Sequence, residues 1–199
     1  MACNQSISMA GQFFLINNYI NSGNEVDTVY LLYSPFSFRN NLDQVYTYHY
    51  FLKPFYTAEY IPLFTETVKK QIQKVPYYNF CRNPLILTSN WAPDFLSKDS
   101  VDFTFLSPVS IEYLQKIKEL SIKHHFKLII VPPPASLSKK PLIEKMNKNE
   151  IIQTSLVEEF ENYFNNFIYL DDKSFTDGVH LIKPLDLKYT EYYKAKLIK

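Results

Sequence analysis

The sequence predicts an α/β protein, a three-layer α/β/α sandwich around a mainly parallel sheet. Residues 28–33 and 126–131 are continuous apolar runs rich in β-branched and aromatic side chains, which is typical of strands covered on both faces. Segments with helical periodicity alternate with these strands, and that alternation favours parallel pairing. The length of 199 residues suits one domain, so we interpret residues 1–199 as a single domain with an aromatic-rich insertion around residues 36–108.

A helix is predicted first, over residues 6–21, because apolar side chains recur there at helical spacing and Ser22-Gly23-Asn24 supplies a stop. The strand at 28–33 follows and ends at Ser34-Pro35. A helix and then a buried strand make half of a βαβ unit, and the strand expected before the helix is not in the sequence. The apolar positions of the helix are Met9, Phe13, Ile16 and Ile20.

The segment 36–60 is aromatic and lacks periodicity. It follows the C-terminal end of a strand, where open α/β sheets bind ligands, so one interpretation is an insertion that covers a substrate. The alternative is a hydrophobic cluster under a long loop. A second helical stripe follows at 61–75, and residues 76–108 are irregular. Asn90 comes after a short apolar run there, and we interpret it either as an oxyanion donor or as an ordinary turn residue.

The second half of the chain repeats the alternation of helices and strands. A helix begins at Ser107-Pro108, which fit the N-cap and the first helical position. The strand at 126–131 then runs into three prolines, which stop strand pairing. A helix over 149–165 and a strand over 166–170 come next, and a final helix is expected after Pro184. The predicted stripe of that last helix is Leu187, Thr190, Tyr193 and Leu197.

The loop after the strand at 166–170 carries Asp177 and His180. Because the two residues are three positions apart, one turn places the carboxylate beside the imidazole, where it fixes the tautomer and leaves the other ring nitrogen free. Such a pair is the base half of an acyl-transfer site, which also needs a nucleophilic hydroxyl. Gly178, one of three glycines, suits a turn with positive φ. The alternative is an ordinary Asp-Gly turn beside a half-buried histidine.

Composition and motifs exclude several other classes of function. The formal net charge is +1, from 21 basic and 20 acidic residues spread along the chain, so no nucleic acid or anionic lipid is expected as a partner. With three glycines there is no dinucleotide-binding or P-loop motif, and no cofactor is expected. Cys3 and Cys81 are too few for a zinc knuckle, and the adjacent His124-His125 point to different sides of a helix, so no metal is expected either.

The sequence contains no apolar run of the ~20 residues that a membrane span requires, and its start lacks the basic and apolar regions of a signal peptide. As it stands it indicates a cytoplasmic protein, whereas a periplasmic or envelope-associated location is expected if a further segment precedes Met1.

The C-terminal part resembles the SGNH (GDSL-like) hydrolase family in its strand, its Asp177-Gly178-Val179-His180-Leu181 segment and its closing helix, which come in this order. In that family the final Asp-x-x-His block supplies the acid and base of a Ser-His-Asp triad that hydrolyses or transfers acyl esters. The resemblance extends over residues 175–193. A glycine that is common in the closing segment of the family is not evident here, and Pro184-Leu185 lie near its position. Among SGNH proteins, the chain is similar to divergent members encoded near cell-envelope polysaccharide genes, which move acetyl groups onto or off sugars.

The resemblance is weaker at the N-terminus. Asn4-Gln5-Ser6-Ile7-Ser8 resembles the second block of the family, and Tyr33-Ser34-Pro35 falls where the third block, Gly-x-Asn-Asp, is expected, without its asparagine. By this alignment the first strand and the nucleophile of the family would precede Met1, and Ser6 is the candidate nucleophile within the sequence. A late start codon, a gene fragment and a homologue that has lost catalysis but kept the fold are the three explanations left open.

The resemblance implies an acyl ester hydrolase or acyltransferase that acts on an acetylated sugar, a polysaccharide or a small ester. His180 would take the serine proton, Asp177 would stabilise the imidazolium, and an acyl-serine would form. Backbone N–H groups at the start of the first helix would bind the oxyanion, with Asn90 as a side-chain candidate, and the rings around residues 45–60 would stack on a sugar. The alternative is a non-catalytic module of the same fold that binds a glycan or a partner protein.

Overall fold

The computed structural model describes residues 8–43, 47–75, 104–152 and 154–197. Within these ranges four short strands and eight α-helices follow one another, joined by single turns of 3-10 or π-helix. The helices are α1 (Met9–Asn21), α2 (Lys53–Phe55), α3 (Glu66–Ile72), α4 (Pro108–His124), α5 (Lys140–Glu144), α6 (Asn149–Ile152), α7 (Val157–Phe160) and α8 (Leu185–Leu197). The strands are β1 (Thr28–Leu32), β2 (Lys127–Val131), β3 (Ala135–Ser136) and β4 (Tyr169–Leu170).

Helix α1 is bounded by local signals that the sequence contains. It begins after Ser8, whose Oγ accepts a hydrogen bond from the N–H of Gly11 at 3.2 Å, and this contact satisfies one of the free N–H groups of the first turn. It ends at Ser22, and Gly23 follows with a φ of +81°. The buried face includes Phe13 and Phe14, which confirms the predicted helix over its described residues.

The four described strands pair in parallel. Strand β1 pairs with β2 in the register that runs from Thr28 opposite Lys127 to Leu32 opposite Val131, and β3 pairs with β4. The prolines at 132–134 lie between β2 and β3, where the missing N–H groups interrupt the ladder, as predicted. The α/β class with parallel strands is therefore confirmed, and the described residues form two two-stranded sheets.

The described part of the aromatic insertion belongs largely to the hydrophobic core. Tyr48, Phe51 and Phe55 are each 4 % exposed or less, and the ring centroid of Phe55 lies 5.1 Å from that of Phe14 in α1. These three rings form part of one continuous cluster with α1, so they are not available to stack on a sugar. The hydrophobic-cluster interpretation is confirmed for them.

Helix α4 is the longest helix described and packs against α1. Ser107 caps it as predicted, since its Oγ accepts from the N–H of Ser110 at 3.1 Å, and His125 ends it in the left-handed conformation with a φ of 57°. The ring of Tyr113 lies 5.5 Å, between centroids, from that of Phe13. Of the helices in the described ranges, none combines the length and the apolar character needed to cross a bilayer.

The single helix predicted over residues 149–165 is wrong. The structure has α6, α7 and a 3-10 turn at Phe164–Asn166 in its place. Thr154 provides the physical reason: its hydroxyl donates to the carbonyl of Ile151 at 2.7 Å and accepts from the N–H of Leu156 at 3.2 Å. These bonds compete with the helical backbone pattern and end α6.

Helix α8 contacts the sheet mainly through one side chain. Tyr193 is 7 % exposed and its hydroxyl donates to the carbonyl of Pro132, which follows β2, at 2.8 Å. Leu187 is 66 % exposed and Thr190 is also exposed, so the stripe predicted for this helix is not a buried face at either position. The side chain of Leu197 lies outside the description.

Candidate functional site

Residues 175–181, here called the acid–base loop, follow β4 and form a tight hairpin. An antiparallel bridge joins Phe175 to Leu181 at its base, and the N–H of Thr176 donates to the carbonyl of His180 at 2.8 Å. The two ends of the loop are thereby held together, so the residues between them have a defined conformation.

Asp177 and His180 make the contact expected from their spacing. The Oδ2 atom of Asp177 lies 2.7 Å from Nδ1 of His180, and the Oδ1 atom accepts from the N–H groups of His180 at 2.8 Å and Val179 at 3.0 Å. Gly178 adopts a φ of +79°, a conformation that glycine takes at little steric cost, so the predicted turn is present as well. The catalytic roles of the two side chains stay predictions.

The hydrogen bonds to Asp177 determine its protonation state. The N–H of His180, then its imidazole, then the N–H of Val179 together lower the pKa of the Asp177 carboxyl to about 2. The group is therefore ionised at neutral pH, and a carboxylate opposite Nδ1 assigns the ring proton to that nitrogen. In the neutral imidazole Nε2 is then the acceptor, which is the form that a general base requires.

The pair is open to solvent. The side chain of His180 is 76 % exposed and that of Asp177 is 54 % exposed. The alternative of a half-buried histidine is therefore wrong at this position. An exposed imidazole with a fixed tautomer can take a proton from a hydroxyl that approaches Nε2 and can return it to a leaving group.

A second loop, after β3, lies against the 3-10 turn Asp172–Ser174 that precedes the acid–base loop. The Oδ1 atom of Asp172 accepts from the N–H of Ser138 at 3.1 Å, and the hydroxyls of Ser136 and Ser138 lie 3.1 Å apart. The N–H of Ser138 is the largest cause of the lowered pKa of the Asp172 carboxyl, followed by the Ser138 hydroxyl. The loops after β3 and β4 are thus hydrogen-bonded to each other.

Lys139 connects this second loop to the end of β1. Its Nζ lies 5.8 Å from the centre of the Phe36 ring, which follows β1. A Cβ built on Gly178 would lie 4.0 Å from Lys139 Cε, so the lysine side chain passes beside the acid–base loop. The segments that follow β1, β3 and β4 therefore meet at one edge, to which both two-stranded sheets contribute carboxyl ends, and ligands of parallel sheets bind at such ends.

Four residues of these loops were not predicted from the sequence as parts of a site: Ser136, Ser138, Lys139 and Asp172, of which Lys139 lies beside Gly178. A signal was present, because residues 135–139 come shortly after the predicted strand at 126–131, as the acid–base loop comes shortly after the predicted strand at 166–170. The hydrogen bond from Ser138 to Asp172 joins residues far apart in the sequence, so periodicity and local motifs do not predict it.

The other two candidates for catalysis, Ser6 and Asn90, lie outside the described residues. Within the described part of the chain, no serine hydroxyl hydrogen-bonds to the imidazole of His180, whose ring contact is with Asp177. The same part brings no three His, Cys, Asp or Glu side chains into a group that could hold a metal ion.

A separate hollow of about 570 Å³ lies at the π-helical turn Tyr48–Leu52 and the start of α2. Its lining in the described residues is His49, Tyr50, Lys53 and Pro54. Burial, and then the charge of Lys53, lower the pKa of His49. Tyr50 is thus a ring of the aromatic insertion that faces a cavity, in contrast to its buried neighbours.

Comparison of the chain with models of protein families, with curated proteins and with solved structures found no match.

Proposed function

We propose that the chain is an SGNH-like acyl ester hydrolase or acyltransferase with a three-layer α/β/α fold, acting on an acetylated sugar or polysaccharide. The observation that carries the proposal is the 2.7 Å contact between His180 Nδ1 and Asp177 Oδ2 on a loop that follows a parallel strand. The exposure of His180 supports it further, because a general base has to reach the substrate.

The proposed reaction has two steps. His180 Nε2 takes the proton of a nucleophilic hydroxyl, the oxygen attacks the ester carbonyl, and the ionised Asp177 stabilises the imidazolium. The ester C–O bond breaks, and the imidazolium gives its proton to the departing alcohol. Water or a sugar hydroxyl then attacks the acyl group, again with His180 as base, and regenerates the free hydroxyl. Ser6 is the proposed nucleophile and Asn90 the proposed oxyanion donor within this chain.

Hydrolysis of p-nitrophenyl acetate by the His180→Ala variant tests the proposal. We expect a loss of at least ~100-fold in kcat/KM, the contribution typical of a general base, with an unchanged circular dichroism spectrum. His124→Ala is the matched control, because it removes another histidine, half-buried in the last turn of α4, and reports the effect of losing an imidazole elsewhere in the chain. Equal turnover by the wild type and the His180→Ala variant would contradict the proposal.

The second candidate function is a non-catalytic module that binds a glycan. It is favoured by the described residues, in which no serine hydroxyl contacts His180 while Tyr50 lines an open hollow. A fluorophosphonate probe distinguishes the two candidates. Labelling of a serine, mapped by mass spectrometry and lost in His180→Ala, supports the enzyme, whereas folded protein without any adduct supports the binding module.

A further inference from the structure

Several charged groups in the segments near the acid–base loop are paired. Asp177 contacts His180, and Asp171 lies 3.4 Å from Lys173. Lys140 lies 3.9 Å from Glu144, one turn further along α5. The opposite charges within each pair compensate each other, so these pairs do not favour a charged ligand at this edge.

Lys139 differs from these cations. Within the described ranges no carboxylate comes within 4.0 Å of its Nζ. Asp172 is a more distant neighbour: its carboxylate accepts a hydrogen bond from Ser138, and the charge of Lys139 is the smallest of the causes that lower its pKa. Its ammonium group lies over the face of Phe36, a contact that holds a cation without neutralising its charge. The side chain is half-buried between the segments after β1 and β4, which limits its freedom of movement.

An ester that reaches His180 has to lie beyond the carboxyl ends of the strands, and Lys139 borders that space. We propose that Lys139 is a specificity-determining residue that selects esters of negatively charged sugars, those that carry a carboxylate close to the acylated hydroxyl. This assignment rests on the proposed function. The ring of Phe36 positions the ammonium group beside the acid–base loop, and the substrate carboxylate supplies the direct ion-pair partner that no described carboxylate provides within 4.0 Å.

The test compares two substrates that differ by one charge, an O-acetylated methyl glucuronide and the corresponding O-acetylated methyl glucoside, with release of acetate as the readout. We expect the wild type to prefer the glucuronide. Lys139→Gln should lower kcat/KM for the glucuronide by about fivefold, the effect of one partly exposed ion pair, and leave the glucoside unchanged. The loss should lie in KM, because the carboxylate is charged in the ground state and in the transition state alike.

Three controls distinguish a role of Lys139 in substrate specificity from a purely structural role. Lys139→Arg should retain the preference because it keeps the charge and the contact with the ring of Phe36. Lys140→Gln removes the neighbouring, paired lysine and should leave both substrates unaffected. High salt should reduce the preference of the wild type, since it screens an exposed charge pair.

The results distinguish a failure of the assignment of Lys139 from a failure of the proposed function. Equal kcat/KM of the wild type for the two substrates, or an equal loss for both in Lys139→Gln, overturns the assignment of Lys139 and leaves the proposed function standing. If the wild type hydrolyses neither substrate nor p-nitrophenyl acetate, the proposed function fails, and the assignment fails with it.

Discussion

The hydroxyl of Tyr163 donates a hydrogen bond to the main-chain carbonyl of Tyr33 at 2.6 Å. Tyr163 is fully buried, with an exposed fraction of 0 %, and lies after α7, whereas Tyr33 directly follows β1. Burial raises the pKa of Tyr163 well above its ordinary value, so the hydroxyl keeps its proton and remains a donor. This bond fixes the segment after α7 against the strand end from which the loop of Phe36 departs.

Tyr163→Phe should reduce the free energy of unfolding by about 1–2 kcal/mol, because it leaves the carbonyl of Tyr33 without this donor in a buried position. Urea unfolding followed by circular dichroism measures the change, with an unchanged denaturant slope as the sign that only stability is affected. Tyr19→Phe is the control, since Tyr19 is 42 % exposed, and it should leave stability as it is. Equal stability of the Tyr163→Phe variant and the wild type would contradict the prediction.

Gly178→Ala should cost about 1 kcal/mol of stability through its positive φ alone, because the nearest side-chain atom stays at an ordinary contact distance. Gly23→Ala provides a matched control, since Gly23 has almost the same φ and nothing within 4 Å of its added Cβ. Both variants should lose similar stability. Gly178→Ala alone should slow ester hydrolysis, by about tenfold, since Asp177 and His180 lose their alignment. Thermal melts and kcat/KM measure the two effects, and equal activity of both variants would argue against a functional role of the loop.

The pKa of Asp177 predicts how the stability of the acid–base loop depends on pH. The carboxyl titrates at about 2 in the folded chain and near 3.8 as a free group. Because the folded value is the lower one, the stabilisation is fully present above about pH 4 and is lost as the pH falls through 2. The difference in unfolding free energy between the wild type and Asp177→Asn should therefore shrink over this interval.

Urea unfolding at a series of pH values gives this difference, and the carboxyl shift of Asp177 in an NMR titration gives the pKa directly. Asp27→Asn, an exposed substitution at the start of β1, serves as the control. A titration of Asp177 close to 3.8 would show that the hydrogen bonds from His180 and Val179 do not hold the charge in solution.

Local signals explain which parts of the fold the sequence predicts well. Helices α1 and α4 combine helical periodicity with serine caps, Ser8 and Ser107, and both begin where these caps place them. Strands β1 and β2 are apolar runs with clear ends, and the contact between Asp177 and His180 spans three residues. Each of these features depends on interactions between near neighbours in the sequence, which patterns and motifs describe.

The remaining features depend on contacts that such patterns do not include. The break between α6 and α7 follows from two hydrogen bonds of the Thr154 hydroxyl, although the apolar spacing of the segment continues through it. The burial of Phe55 requires Phe14, a partner in α1. Lys139 reaches the acid–base loop because parallel strands bring separate loops to one edge, so its position follows from the sheet rather than from its own segment.

The acid–base loop is built from short-range bonds, since its hydrogen bonds in the described chain join residues within 172–182. Its geometry is thus encoded by a few consecutive positions, whereas the surroundings of His180 come from distant ones. Over evolution, substitutions near Phe36 or Lys139 can change which molecules approach the imidazole without disturbing the base itself. In the proposed enzyme, proton transfer and substrate choice are therefore separable traits, free to diverge at different rates.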